Sequence, residues 1–364
     1  MALHSTSLRM LVEAHSLTKV KQPVKTCSQP ALHILSNMKK TFLLTLILPL
    51  LFSVLLLSGC SKPQLDTEGC FTDADSAFKY AAKKDRNVLL LITMEDDDSQ
   101  STAFLNGVLR NESFKNEIAS EYAVLHFDFS QKTYAQTVVP EGSDAKTQKL
   151  ADEKASQIQK NTRFVSLLNV SQTPSFFILS KDSYVLSAFF YEEENPTFEG
   201  FKNTLQNQRP ITDSMEALIK SAKKGSALQK VSAIDALYES TSADYRPLLE
   251  DLLESVQKLD KNNESGLLGK YIYAAADAKA IKLVNQGEVS QAVDLYIQAA
   301  ENPAVASNLK QQSYYIAAYL CAMTGSAGTE VIQDYLQKAI DADPQSEEVS
   351  SIKKVMEIIS SQVE

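Results

Sequence analysis

Apolar positions follow two regimes along this chain. From about residue 68 to 208, short apolar runs alternate with amphipathic stretches; beyond that the spacing is helical throughout. In "CFTDADSAFKYAAKKDRNVLLLIT", Ala77, Phe78, Tyr80 and Ala81 form one helical face, and Asp73 or Asp75 can cap its start. Val88 to Ile92 is an unbroken apolar run between polar residues, the mark of a central strand covered on both faces. A helix carrying Phe104, Val108 and Leu109 comes next, then "YAVLHFDF" as a second strand. The polar stretch from Ser130 reads as a loop insertion, and helix resumes over about 144–168. "PSFFILS" and "YVLSAFFY" form two further strands joined by a tight turn at Lys181-Asp182-Ser183, and a helix from Phe198 to Asn207 closes the unit. The predicted order is α-β-α-β-α-β-β-α.

Arg209-Pro210 interrupts the pattern. Helices are predicted beyond it at about 213–224, 226–239, 244–260, 264–286, 289–301, 305–324, 329–341 and 345–361. Breaks fall at Lys224-Gly225, Thr241-Ser242, Lys261-Asn262-Asn263, Asn302-Pro303, Gly325 and Asp343-Pro344. "KAIKLVNQGEVSQAVDLYIQAAENP" resembles a tetratricopeptide repeat: Gly287 takes the turn, Ala292 and Ala299 allow close helix approach, and Tyr296 fills the gap between helices. "YYIAAYLCAM" followed by "VIQDYLQKAIDADP" repeats the scheme with Ala339 and Pro344. The 40-residue step from Ala299 to Ala339 exceeds the usual repeat of about 34, so the repeats are degenerate. An unrelated helical bundle is the competing reading.

A third pattern precedes both. "MKKTFLLTLILPLLFSVLLLSGCSK", from Met38, has the charged start, long apolar stretch and small-residue exit of a secretory signal. Its end, Leu57-Ser58-Gly59-Cys60, resembles a bacterial lipobox. That resemblance implies cleavage between Gly59 and Cys60 and acylation of Cys60, including palmitate-type chains. Each buried methylene contributes about 0.8 kcal/mol to anchoring. An uncleaved anchor over Thr41 to Leu57 is the alternative. The expected organisation is 1–37 upstream of the true start, 38–59 signal peptide, 60–67 lipidated linker, 68–208 an α/β domain, and 211–364 an all-α domain. The protein is thereby expected in the cell envelope, lipid-anchored and facing the periplasm or the exterior. The outer membrane is favoured, because Ser61-Lys62 lacks the aspartate that retains some lipoproteins at the inner membrane.

Charge narrows the partners. The 364 residues carry 36 Lys and Arg against 45 Asp and Glu; six bases and one acid lie within 1–59, leaving 30 bases and 44 acids beyond. That acidic remainder repels phosphate backbones, so nucleic acid is not an expected partner. Of four histidines only His126 lies beyond the leader, which leaves one imidazole for any triad or metal site. No cofactor or metal is expected.

The α/β region resembles the thioredoxin-fold domains of exported bacterial proteins, a mixed central sheet flanked by helices. "CFTDADSAFKYAAKK" matches their opening helix, with Cys70 where tryptophan is usual, Asp128 ends the second strand, and "NVSQTPSFFILSKDSYVL" matches the cis-proline segment and last hairpin. This resemblance implies a cis-proline at Pro174, after Thr173. Active relatives carry Cys-x-x-Cys after the first central strand. Here that loop reads "MEDDDSQSTAF": the sulfur positions fall near Asp97 and Gln100, beside Glu95, Asp96 and Asp98. A helix N-terminus lowers a thiol pKa, and neighbouring aspartates would oppose that.

Three readings fit the acidic loop. Its carboxylates cap the following helix and complement its dipole, by about 0.3–1 kcal/mol each. They bind a divalent cation, although no calcium-loop pattern is present. Or they face a basic partner. Cys70 lies before the first helix, and Cys321 sits within an apolar helix as a small hydrophobe. A Cys70–Cys321 bridge would have to cross domains. The expected function is a membrane-anchored, non-catalytic protein- or peptide-binding scaffold. Pro174 would offer backbone to an extended peptide. The alternative is an envelope thiol-disulfide oxidoreductase or isomerase with a non-standard site.

Overall fold

The computed structural model describes residues 65–361. The expected signal segment, the Gly59–Cys60 cleavage point and the lipidation at Cys60 lie outside the described residues. Among those residues no helix is long and apolar enough to cross a membrane.

Helix α1 (Ala74–Lys84) is capped by Asp73, whose carboxylate accepts the Ser76 amide at 2.8 Å. It leads into β1 (Asn87–Thr93), buried from Val88 onward. Helix α2 (Ser99–Phe104) runs on through a wide π-type turn over Leu105–Leu109. A second such turn at Phe114–Ile118 precedes β2 (Tyr122–Asp128). The insertion after Ser130 is not all loop: it contains the short helix α3 (Gln131–Ala135), because the Ser130 hydroxyl accepts the Thr133 amide. Helix α4 (Ala145–Val165), β3 (Ser175–Leu179), β4 (Val185–Phe189) and α5 (Phe198–Asn207) follow.

The strands form one small mixed sheet in the order β2-β1-β3-β4, with β1 parallel to β2 and antiparallel to β3, and β3 antiparallel to β4. Alternation along β1 divides the core. Leu89 and Leu91 face a layer with Phe104, Phe176 and Phe201; Val88, Leu90 and Ile92 face another with Ala77, Ala81 and Phe127. Outside β2, Phe71 exchanges backbone hydrogen bonds with Val124 and His126 (2.8 and 2.9 Å), so the segment before α1 covers that sheet edge.

The remainder is helical: α6 (Arg209–Lys223), α7 (Ala227–Ser240), α8 (Glu250–Leu259), α9 (Leu268–Asn285), α10 (Val289–Glu301), α11 (Ser307–Thr324), α12 (Thr329–Ala342) and α13 (Val349–Ser361). Four boundaries differ from expectation. Pro210 does not break the chain, since it occupies the first turn of α6, where its missing N–H is not needed. Pro247 splits the expected 244–260 helix into a 3₁₀ segment (Ala243–Leu249) and α8. The 264–286 helix starts later because Asp260 accepts the Glu264 and Ser265 amides and holds 260–266 as a turn. The last helix likewise begins at Val349 rather than 345.

Nor does the core divide where the composition does. The layer containing Leu89 and Phe201 continues without a gap through Met215, Ile234, Leu253 and Tyr271. A separate cluster begins at Ala280 and runs through Tyr296, Cys321, Leu336 and Ile352. Gly287 (φ 84°) makes the turn from α9 to α10, Ala292 and Ala339 are fully buried, and the Tyr296 hydroxyl donates to Asp277 at 2.7 Å.

Candidate functional site

The loop after β1 is held from all sides. β1 ends at Thr93, and the Met94 amide donates to the Ser101 hydroxyl in α2 at 3.1 Å. The Glu95 amide donates to Asp128 at the end of β2 (2.9 Å), which ties the loop to the neighbouring parallel strand. Asp96 takes a left-handed conformation (φ 66°), tolerated by aspartate better than by most residues, and its amide donates to the Thr102 hydroxyl.

The four carboxylates then part company. Only Asp98 caps α2, accepting the Gln100 and Ser101 amides (3.2 and 3.0 Å) and the Ser101 hydroxyl (2.6 Å). Its Oδ2 also accepts the Thr173 hydroxyl at 3.1 Å, which joins the loop to the Thr173–Pro174 turn, where the peptide bond is cis and Pro174 is buried. Asp97 reaches the other way and accepts the Gln131 amide at the start of α3. Glu95 pairs with Arg110 and lies 3.9 Å from Lys132. The Asp96 side chain is exposed, as is that of Gln100, whose contribution is its backbone amide. The expectation that the loop's carboxylates together cap one helix is therefore corrected: they serve two helix starts, one ion pair and solvent. Among the described residues no group of three or more His, Cys, Asp or Glu side chains is arranged to hold a metal ion.

Two of these acids are held as anions by their donors. Burial pushes the Asp98 carboxyl up, but the Ser101 hydroxyl and amide, the Gln100 amide and the Thr173 hydroxyl outweigh it and hold it below the ordinary carboxylate range. Asp128 follows the same logic: burial opposes, while the Thr133 and Ser130 hydroxyls and the Glu95 and Ser130 amides win.

His126, on β2, stands in a chain of polar groups that sequence reasoning did not assemble. Its Nε2 lies 2.9 Å from Thr93 Oγ1 and its Nδ1 lies 3.2 Å from Asp66. The order hydroxyl-imidazole-carboxylate is that of a nucleophilic triad, but Thr93 is fully buried, so no substrate carbon can reach its oxygen. Asp66 also accepts the Glu68 and Cys70 amides (2.9 and 2.8 Å), which makes the chain a clamp on the segment covering the sheet edge. His126 was the one imidazole available in the sequence; its partners lie 33 and 60 residues away, and no spacing rule connects them.

Neither described cysteine supplies a reactive sulfur. Both are buried free thiols. Burial first, then the charges of Asp66 and Glu68, push the Cys70 thiol well up; burial likewise raises Cys321.

Residues 267–364 match a protein family described as "Uncharacterised protein C-terminal domain". An "Uncharacterized protein" of Treponema pallidum (strain Nichols) is 24% identical over 307 residues, covering 82% of this chain and 91% of the relative. Among solved structures, a DsbH oxidoreductase is similar over 42% of this chain and 94% of its own, at 12% identity and a TM-score of 0.25.

Proposed function

We propose that this protein is a lipid-anchored envelope protein that binds a protein or peptide partner without chemistry of its own. In this reading a redox-inactive thioredoxin-like domain is joined to tetratricopeptide-like helices. The observation that carries it is Asp98. Where a reactive thiolate would be needed at the start of α2, a carboxylate instead takes two amides, one hydroxyl of its own helix and the hydroxyl of Thr173. With three donors on its Oδ2 and one on its Oδ1, Asp98 is held as a structural anchor, and a negative charge there disfavours any neighbouring thiolate. The buried Cys70 and Cys321 thiols support the same reading.

The anchoring part rests on the lipobox-like Leu57 to Cys60, and the binding part on paired helices beyond Gly287. Crosslinking pull-down with the 61–364 fragment from the native envelope is expected to recover a defined protein partner. Insulin reduction by the same fragment is expected to match the buffer blank. Reduction that disappears in Cys70→Ser would replace this reading with the oxidoreductase one, and metabolic labelling with palmitate that persists in Cys60→Ala would refute the anchor.

A further inference from the structure

Helix α4 carries a charge on the wrong face. Ala151, Ile158 and Asn161 are its buried residues, and they lie along one stripe at helical spacing. Lys154 occupies the same stripe, between Ala151 and Ile158, and is half-buried. A half-buried lysine lays its stem on apolar surface and turns its ammonium to water or to an anion. Among the described residues Lys154 makes no ion pair within 4 Å, and burial lowers its pKa, with the charge of Asp128 opposing.

The stripe faces a cleft of about 330 Å³, at the small end of ligand-binding pockets. It lies outside the carboxyl end of β2, walled by α4, the segment before α1 and α3, with Leu65, Phe129 and Ile158 as apolar lining. Its four carboxylates are all committed. Asp66 holds His126 and two amides, Glu68 lies 3.5 Å from Arg110, Glu95 pairs with Arg110, and Asp128 is filled by hydroxyls and amides. The unmet valence of the cleft is positive: Lys154, with Lys132 only loosely held by Glu95 at 3.9 Å. Four acids against three cations around the wall disfavour a dianion such as phosphate; Lys154, the lining cation without an ion pair, offers a place for a single negative charge.

We infer that this cleft binds a monocarboxylate with a short apolar body, its carboxylate on the Lys154 ammonium and its body against Leu65, Phe129 and the edge of Ile158. The inference is independent of the proposed scaffold role. The carboxylate could belong to a free short-chain acid or to the C-terminal residue of a peptide, and both offer the same chemistry.

The test is ligand-observed NMR titration of the full chain with hexanoate, hexanamide, and a leucine-terminated tripeptide with a free or an amidated C-terminus. At least one acid is expected to bind tenfold or more tightly than its amide. Which acid does so identifies the source. Lys154→Met and Lys154→Gln are expected to abolish the preference, Lys154→Arg to keep it, and the melting temperature of Lys154→Met to equal or exceed the parent's. The inference is overturned if neither acid binds, if acids and amides bind alike, or if the preference survives in either neutral variant. A lysine serving only as counter-charge to Asp128 would show no acid preference, and its neutral variants would melt lower.

Discussion

Asp98 is the residue on which the loop turns, because one carboxylate satisfies donors from α2 and from the Thr173–Pro174 turn together. Asp98→Ala is expected to cost about 1–2 kcal/mol, the value of a lost N-cap plus an unpaired hydroxyl. Asp96→Asn, exposed and in a left-handed conformation that asparagine also tolerates, should lie within about 0.5 kcal/mol of the parent. Urea denaturation of both variants checks the contrast; equal losses would mean that the loop acts as a general acidic patch. The same contacts set an acid limit. Asp98 and Asp128 titrate lower in the folded protein than the unfolded value of about 3.9. The unfolded chain therefore binds protons first, so their contribution is complete above about pH 4 and is lost as pH falls through the folded values. Melting temperature measured from pH 5 downward should drop below about pH 4, and less steeply in Asp98→Asn or Asp128→Asn.

Among the secondary elements, two close approaches decide the packing of whole helices. Gly269 in α9 lies so close to the loop between α10 and α11 that an added Cβ would fall 1.9 Å from the Ala304 carbonyl oxygen. Gly107, in the wide turn after α2, stands the same way against Pro196, at 2.0 Å. Backbone cannot yield as a flexible side chain does, so Gly269→Ala and Gly107→Ala should each destabilise by about 1–3 kcal/mol despite alanine's better helix propensity. Thermal melts of the two variants decide it, and an unchanged midpoint would show that these helices slide freely. Proline behaves by position in the same manner: Pro210 is accommodated in the first turn of α6, whereas Pro247 forces a tighter helix ahead of α8.

Taken together, the helices beyond 208 do not hang from the sheet as a separate body. The Tyr184 hydroxyl before β4 reaches the Asp251 carboxylate in α8 at 2.7 and 2.9 Å, and Phe177 in β3 packs edge-on against Tyr245. A fragment ending at Asn207 would strip the apolar cover of Met215, Ile219, Leu249 and Leu253 from this core. It is expected to bind a hydrophobic dye and to melt without a cooperative transition, while the 61–364 fragment melts cooperatively. A cooperative melt of the shorter fragment would show that the sheet layer closes on its own.

Local pattern was enough for much of this architecture. Periodicity marked the order of the elements through α5 except the short α3, because strands buried on two faces and helices buried on one leave different spacings, and glycines marked the turns at Gly287 and Gly325, where φ is left-handed. The acidic loop after β1 was equally visible, but not the division of labour among its carboxylates. That depends on Thr173, Gln131 and Arg110, brought in from other elements, and a carboxylate's role follows from the donors that surround it. The clamp of Thr93, His126 and Asp66 and the inward-facing Lys154 went unread for the same reason. Spacing reports which face of an element is apolar; which partners meet that face is settled when the elements pack.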